Sequence, residues 1–160
     1  MNVLFVCLGN TCRSPIAEAI LLNLIRIHQL TDWHTDSAAL RDWNDGLEPQ
    51  PRTLQVLRQH GLSTKHLSRM ITAQDFYDND FIFGMDESNM AELQQMANSL
   101  NPKPKCQLVL LGSYLGRKED EIIRDPYFSK GMGGFHAAYL QIKESCENFV
   151  QQHKQHKKEL

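Results

Sequence analysis

The chain carries no excess of basic charge, no long apolar run and no dense set of cysteines. Lysine and arginine number 17 against 19 aspartates and glutamates, a net charge of −2. That balance gives no footprint for nucleic acid. The opening Met1-Asn2-Val3-Leu4-Phe5-Val6 has no positive flank and is too short for a signal segment or a membrane span. No membrane partner is therefore expected. Cysteine occurs at positions 7, 12, 106 and 146 alone. Without a targeting signal these read as cytosolic thiols rather than a disulfide framework, which predicts a cytoplasmic protein. Neither an internal repeat nor a linker interrupts the 160 residues, so residues 1–152 are expected to form one domain and 153–160 a charged, frayed tail.

What is present is concentrated near the start. Val3-Leu4-Phe5-Val6 reads as a buried strand, broken at Gly9-Asn10 and followed by an amphipathic segment from Ser14-Pro15. A strand, tight loop and helix in succession aim backbone N–H groups and a helix N-terminus at one point, which makes an anion site. Cys7 opens that loop and Arg13 stands six residues later. The thiolate is the nucleophilic form of cysteine, and loop amides, a helix dipole and Arg13 would all favour it. The same donors would hold the equatorial oxygens of a transferring phosphoryl group, with the planar fork of Arg13 binding two at once. Ser14 could donate its hydroxyl proton to the sulfur. Gly9 and Asn10 tolerate a left-handed backbone, and Pro15 suits a first helical turn. Cys-x5-Arg alone would be weak; its placement between an apolar strand and a helix gives it weight.

Further along, Ile16, Ile20, Leu24 and Ile27 recur at helical spacing, with Glu18 in the first turn and Arg26 near the end. Thr31 to Ala38 is a partly polar strand, and Leu40 to Pro51 a loop. A helix from Arg52 to His60 turns Leu54 and Leu57 inward and stops at Gly61. Asp80–Met85 and Gln107–Leu111 read as strands separated by a helix through Met90, Leu93, Ala97 and Leu100. Phe135, Tyr139, Ile142, Cys146 and Phe149 mark a last helix. This alternation predicts an α/β fold, a central parallel sheet of about four strands with helices on both faces, flavodoxin/Rossmann-like, with the phosphate loop after the first strand. His153 and His156 are three apart but read as a solvated end rather than a metal clip.

The run Cys7-Leu8-Gly9-Asn10-Thr11-Cys12-Arg13-Ser14-Pro15-Ile16-Ala17-Glu18 resembles the signature of the low-molecular-weight protein tyrosine phosphatases. The resemblance extends over nearly the whole chain. It implies that Cys7 becomes a phosphocysteine, that Leu8, Gly9, Asn10, Thr11, Cys12 and Ser14 complete the phosphate loop, and that Arg13 grips the phosphoryl group. Asp125, which on its own reads as an ordinary Asp-Pro turn, matches the general acid and base of the family's Asp-Pro-Tyr loop. Trp43 and Tyr127, otherwise plain rim aromatics, match the walls of the substrate slot. Phe128 stands where a second tyrosine is common, so a potential phosphorylation site is missing there. Asn10, Ser37 and His66 match a set that braces the loop. Asp86 is similar to a buried acid of the family, besides being a good helix cap. Cys12 reads either as packing or as the thiol that captures an oxidised Cys7. No metal or cofactor is implied. The expected partners are phosphorylated proteins or peptides, with inorganic phosphate and other oxyanions as inhibitors.

Thr11 departs from the aliphatic residue common in tyrosine-specific members. It resembles the branch that dephosphorylates protein phosphoarginine, where a hydroxyl can accept from guanidinium N–H groups. The aromatic slot still suits a phenyl ring, so the sequence alone puts phosphotyrosine first and phosphoarginine second. An arsenate reductase or a non-catalytic phosphate-binding module would keep the same loop. The first needs a relay of cysteines, which Cys106 and Cys146 are poorly placed to supply; the second does not need Asp125.

Overall fold

Alternate residues of the first strand belong to two different cores. A computed structural model describes residues 1–154. In β1 (Asn2–Cys7), Val3, Phe5 and Cys7 join one apolar cluster, while Leu4 and Val6 join another. A strand whose both faces are buried must lie inside a sheet covered on each side. β1 pairs in parallel with β2 (His34–Ala39) on one edge and β3 (Phe81–Gly84) on the other. β4 (Gln107–Leu110) extends the sheet beyond β3, giving the order β2-β1-β3-β4. The predicted four-stranded parallel architecture is what forms.

The first cluster gathers α1 (Arg13–Ile27), α2 (Pro51–Gln59) and α5 (Gly133–Lys154) on one face. At its centre Phe149 meets Phe81 and Phe83 edge-on, each with ring centroids 5.1 Å apart, a favoured aromatic geometry. The opposite face carries α3 (Ala73–Asp78) and α4 (Glu87–Asn98) through Phe76, Leu93 and Ala97. Among the described residues, no helix is long and apolar enough to cross a membrane.

Four expectations change. The inward stripe of α2 is Thr53, Val56 and Leu57, while Leu54 is half-buried at the edge of that stripe. Glu18 is not in the first turn of α1, which begins at Arg13; it is buried further along. The helix α3 was not anticipated; Thr72 N–H donates to Asp75 Oδ2 at 2.8 Å, half of a capping box that starts it. His153 is not frayed: α5 continues through it, and its ring packs 4.6 Å from Phe149. The remainder of the expected tail, with His156, lies outside the described residues.

Because β1 has neighbours that leave it in opposite directions, its carboxyl end is the topological switch point where α/β sheets place ligands. Cys7 is the last residue of that strand.

Candidate active site

The loop between β1 and α1 is shaped by two different demands. Asn10 takes a left-handed φ of 54°, as its residue type permits. Gly9 leaves room for a brace instead: a Cβ there would lie 2.9 Å from Asn44 Nδ2 and push aside the amide that donates to the Gly9 carbonyl at 3.0 Å. Ser68 Oγ donates to the same carbonyl. The Thr11 carbonyl is held from the other side by Gln50 N–H at 3.0 Å and Thr53 Oγ1 at 2.9 Å. None of these braces was visible in the sequence, since each comes from a distant loop or helix.

Beneath the loop runs a chain of polar contacts. Cys7 Sγ lies 3.0 Å from Ser14 Oγ. Asn10 Nδ2 donates to Ser14 Oγ at 2.7 Å and to Ser37 Oγ at 3.0 Å. Asn10 Oδ1 sits 2.6 Å from His66 Nε2, which is also 3.2 Å from Ser37 Oγ. Asn10, Ser14 and Ser37 are fully buried, so their orientations are fixed by these partners. His66, indistinguishable from a surface histidine in sequence, is thereby placed in the brace.

Arg13 is 2% exposed. Its Nη1 donates to Asp86 Oδ2 at 2.7 Å and to the Ile123 carbonyl at 2.8 Å. Nη2 is 3.8 Å from Asp125 Oδ2, and Nε donates to nothing among the described residues. Burial opposes the charge on Arg13, but the neighbouring Cys7 sulfur and the Asp86 carboxylate outweigh it, so the guanidinium stays charged beyond its ordinary range. Asp86 also caps α4 by accepting from Asn89 N–H at 2.8 Å. It is one-quarter exposed rather than buried as the resemblance implied, because it caps a helix end instead of lying within a core.

Asp125 arrives from far along the chain. Ile123 N–H donates to the Met85 carbonyl at 3.0 Å, which hangs the segment on the end of β3. Asp125 Oδ1 then accepts from Tyr127 N–H, starting a single 3-10 turn over Pro126–Phe128. Arg52 on α2 donates to the carbonyls of Tyr127, Ser129 and Gly131, strapping this loop to the body.

These pieces enclose a cleft of about 210 Å³. Cys7, Leu8, Gly9, Thr11, Cys12 and Arg13 form its floor. Trp43 and Asn44 stand on one side, and Asp125, Tyr127 and Phe128 on the other. The three aromatics are exposed, so the walls are apolar and open to water. Asn10, Ser14, Ser37, His66 and Asp86 lie behind or beside the floor. Thr11 Oγ1 is 3.8 Å from Cys12 Sγ. Burial, and next the charge at Cys7, push the Cys12 thiol up to about 12. Cys106 precedes β4 and Cys146 is buried in α5; neither lines the cleft.

A thiol, a buried guanidinium and a carboxyl converge on one apolar-walled slot. The family model described as low molecular weight phosphotyrosine protein phosphatase matches residues 2–159. The chain belongs to this family. A low molecular weight phosphotyrosine protein phosphatase of Sus scrofa is 44% identical over 151 residues, covering 94% of each chain. Low molecular weight phosphotyrosine protein phosphatase 1 of Drosophila melanogaster is 42% identical over 152 residues, covering 94% of this chain and 96% of its own. Among solved structures, that of DARP, described as a Drosophila arginine phosphatase, superposes with a TM-score of 0.95. It is 67% identical and covers 96% of this phosphatase and 98% of its own length.

Proposed function

We propose that the chain is a cysteine-dependent protein phosphatase that acts on phosphoarginine, with phosphotyrosine as its second substrate class. The observation that carries this order is the 67% identity to DARP across 96% of the chain, with Thr11 on the cleft floor. It reverses the order suggested by the sequence alone, where the aromatic slot favoured a phenyl ring. Phosphotyrosine remains supported by the family and by the apolar walls of Trp43, Tyr127 and Phe128.

In the first step Cys7 Sγ attacks phosphorus, and the bond from phosphorus to the leaving nitrogen or phenolic oxygen breaks. Asp125 hands its proton to that leaving atom. Arg13 Nε and Nη2, the edge not occupied by Asp86 and Ile123, present a fork to two phosphoryl oxygens. Ser14 Oγ can donate to the sulfur and ease its departure. In the second step Asp125 takes a proton from water, the water oxygen bonds to phosphorus, and the S–P bond breaks to release inorganic phosphate. Phosphate and similar oxyanions would then inhibit by occupying the same loop. Thr11 Oγ1 accepts from the substrate guanidinium. Cys12 is the candidate to trap an oxidised Cys7 as a disulfide, and the four free thiols suit a cytosolic setting.

Rates on matched phosphoarginine and phosphotyrosine peptides test the assignment, in wild type, Thr11→Ile and Cys7→Ser. A hydrogen bond to a charged group contributes about 1.5–3 kcal/mol, or roughly 10–100-fold in kcat/KM. Thr11→Ile should therefore lower the phosphoarginine to phosphotyrosine ratio by that factor, and Cys7→Ser should abolish both activities. An unchanged ratio would remove phosphoarginine from first place, and full activity in Cys7→Ser would remove the mechanism.

A further inference from the structure

The turn that carries Trp43 also carries carboxylates that phosphoryl transfer does not use. Asp45 N–H donates to the Asp42 carbonyl at 3.1 Å, closing a four-residue turn whose corners are Trp43 and Asn44. Leu47 N–H donates to the Asn44 carbonyl at 2.8 Å, so a second turn follows at once. Both turns are pinned to the body. Gly46 N–H donates to the Ser68 carbonyl at 2.8 Å, and Ser68 N–H returns to the Leu47 carbonyl at 2.9 Å. Asn44 Nδ2 holds the Gly9 carbonyl at 3.0 Å. Asp42, Asp45 and Glu48 therefore occupy fixed backbone positions beside the two residues that form this wall of the cleft, and all three are exposed.

Their charge is not cancelled within the protein. Arg41, the nearest base in sequence, is taken by Glu92 at 2.7 Å, and Arg69 is taken by Asp36 and Asp75. No ion pair joins Asp42, Asp45 or Glu48 among the described residues. The opposite lip has the other sign. Lys130 is exposed between Ser129 and Gly131, whose carbonyls Arg52 grips at 2.7 and 3.0 Å. Neither Lys130 nor Arg52 has a carboxylate partner among the described residues, while Asp125 on that side faces Arg13 at 3.8 Å. Between the lips lies a buried donor without an acceptor. Arg13 is 2% exposed, and its Nε donates to nothing among the described residues, which asks for an oxyanion on the cleft floor. A chain whose anionic group is seated there must lead its flanking residues out over lips of opposite charge.

We propose that the Trp43 lip docks basic residues flanking the phosphorylated residue of the substrate chain, so that phosphorylated segments with lysine or arginine on one flank are selected. This rests on the phosphatase reading and adds to it the class of peptide. An extended chain advances about 3.3–3.6 Å per residue, so residues two or three from the phosphorylated one lie roughly 7–10 Å away from it. Exposed charges still interact over about 8 Å at physiological salt, which puts those residues in reach of Asp42, Asp45 and Glu48. Lys130 and Arg52 repel the same side chains on the other side, so the preference has a direction and belongs to one flank alone. Single exposed pairs are weak, a few-fold at most, and it takes the three acids together to select. The attraction is equal before and during bond-making, so it acts on KM and leaves kcat nearly unchanged.

Matched peptides, each made with phosphoarginine and with phosphotyrosine, carry a pair of lysines, alanines or glutamates on the amino or the carboxyl flank. In about 50 mM sodium chloride, lysines on one flank should lower KM on the order of tenfold relative to glutamates there, and the gap should shrink to about twofold or less in about 500 mM salt. The triple variant Asp42→Asn/Asp45→Asn/Glu48→Gln should lose the gap while turning over p-nitrophenyl phosphate, which has no flanks, at the wild-type rate. Asparagine suits a turn as aspartate does, so the wall is retained. The salt series needs no substitution and decides even if the variant fails to fold. Fluorescence anisotropy of the labelled peptides on full-length Cys7→Ser reads the same preference without chemistry. Peptides that bind with the flank preference but are not hydrolysed by wild type would overturn the phosphatase reading and leave the lip standing. Equal KM for lysine and glutamate flanks, a preference that survives high salt or the triple variant, or no binding of any peptide would overturn the lip.

Discussion

Replacing Asp86 with asparagine isolates the counter-charge of Arg13 while keeping the helix cap. Asparagine and aspartate are near-equal caps, so the bond from Asn89 N–H survives. What changes is the 2.7 Å contact to Arg13, a cation only 2% exposed. A charge-assisted bond contributes about 1.5–3 kcal/mol and a neutral one about 0.5–1.5, so the exchange itself removes roughly 1–2 kcal/mol. Leaving a buried charge without its partner would cost about 3–5 kcal/mol. That limit is not reached, because Asp86 is partly solvated and Asp125 still stands 3.8 Å from Nη2. A loss of about 2–3 kcal/mol should result, lowering Tm by roughly 5–10 °C for a chain of this size. Phosphate then becomes the main counter-ion of Arg13, so the Tm gain on adding saturating phosphate should be larger in the variant than in wild type. Differential scanning fluorimetry with and without phosphate measures both. Equal Tm values and equal phosphate increments would refute the view that Asp86 balances Arg13.

Three further outcomes follow from the same contacts. In Cys7→Ser, Cys12 should still react with iodoacetamide at neutral pH at least roughly tenfold more slowly than an ordinary thiol, because burial, the largest cause of its raised value, remains when the Cys7 charge is removed; rapid labelling seen by mass spectrometry would contradict this. Asp36 is held below its ordinary 3.8, since the Ser37 N–H and Arg69 outweigh the opposing effect of burial. Its contribution to stability is thus present above 3.8 and is lost as pH falls below it, and urea midpoints on either side of that value should converge in Asp36→Asn. A Cβ at Gly112 would collide with the Glu121 carbonyl, so Gly112→Ala should destabilise by about 1–3 kcal/mol and displace the Ile123 carbonyl that holds Arg13. Unaltered thermal melting would count against that packing.

Much of the framework was legible because it is written in contiguous apolar patterns. Phe81–Gly84 and the stripe from Phe135 to Phe149 bury every residue their periodicity points inward. The floor of the cleft was legible for the same reason: Cys7 to Ser14 is one unbroken run whose residue types match its geometry. The helix α3 escaped because six residues contain too few apolar positions to show a period, and its capping box was the only signal. Leu54 misled because the buried face of α2 includes the polar Thr53, which hydrogen-bonds the Thr11 carbonyl, so apolar spacing alone misplaces the stripe. Asn44, Thr53, Ser68 and Arg52 carry no local mark of their roles. Each acts through one hydrogen bond or a few to a remote carbonyl, and sequence spacing does not encode such pairings. Glu18 of α1, Asp36 of β2 and His66 of the connection after α2 meet only in the folded chain.

The strap from Arg52 bears on how this cleft would turn over substrate. Its guanidinium holds three carbonyls of the 127–131 segment while lying 4.5 Å over the Phe135 ring. The loop bearing Asp125 is therefore anchored in place before any peptide arrives, and no lid has to swing shut to bring the proposed proton donor to the scissile bond. Turnover governed by bond-making rather than by segmental motion is insensitive to solvent viscosity, so sucrose or glycerol should leave kcat nearly unchanged.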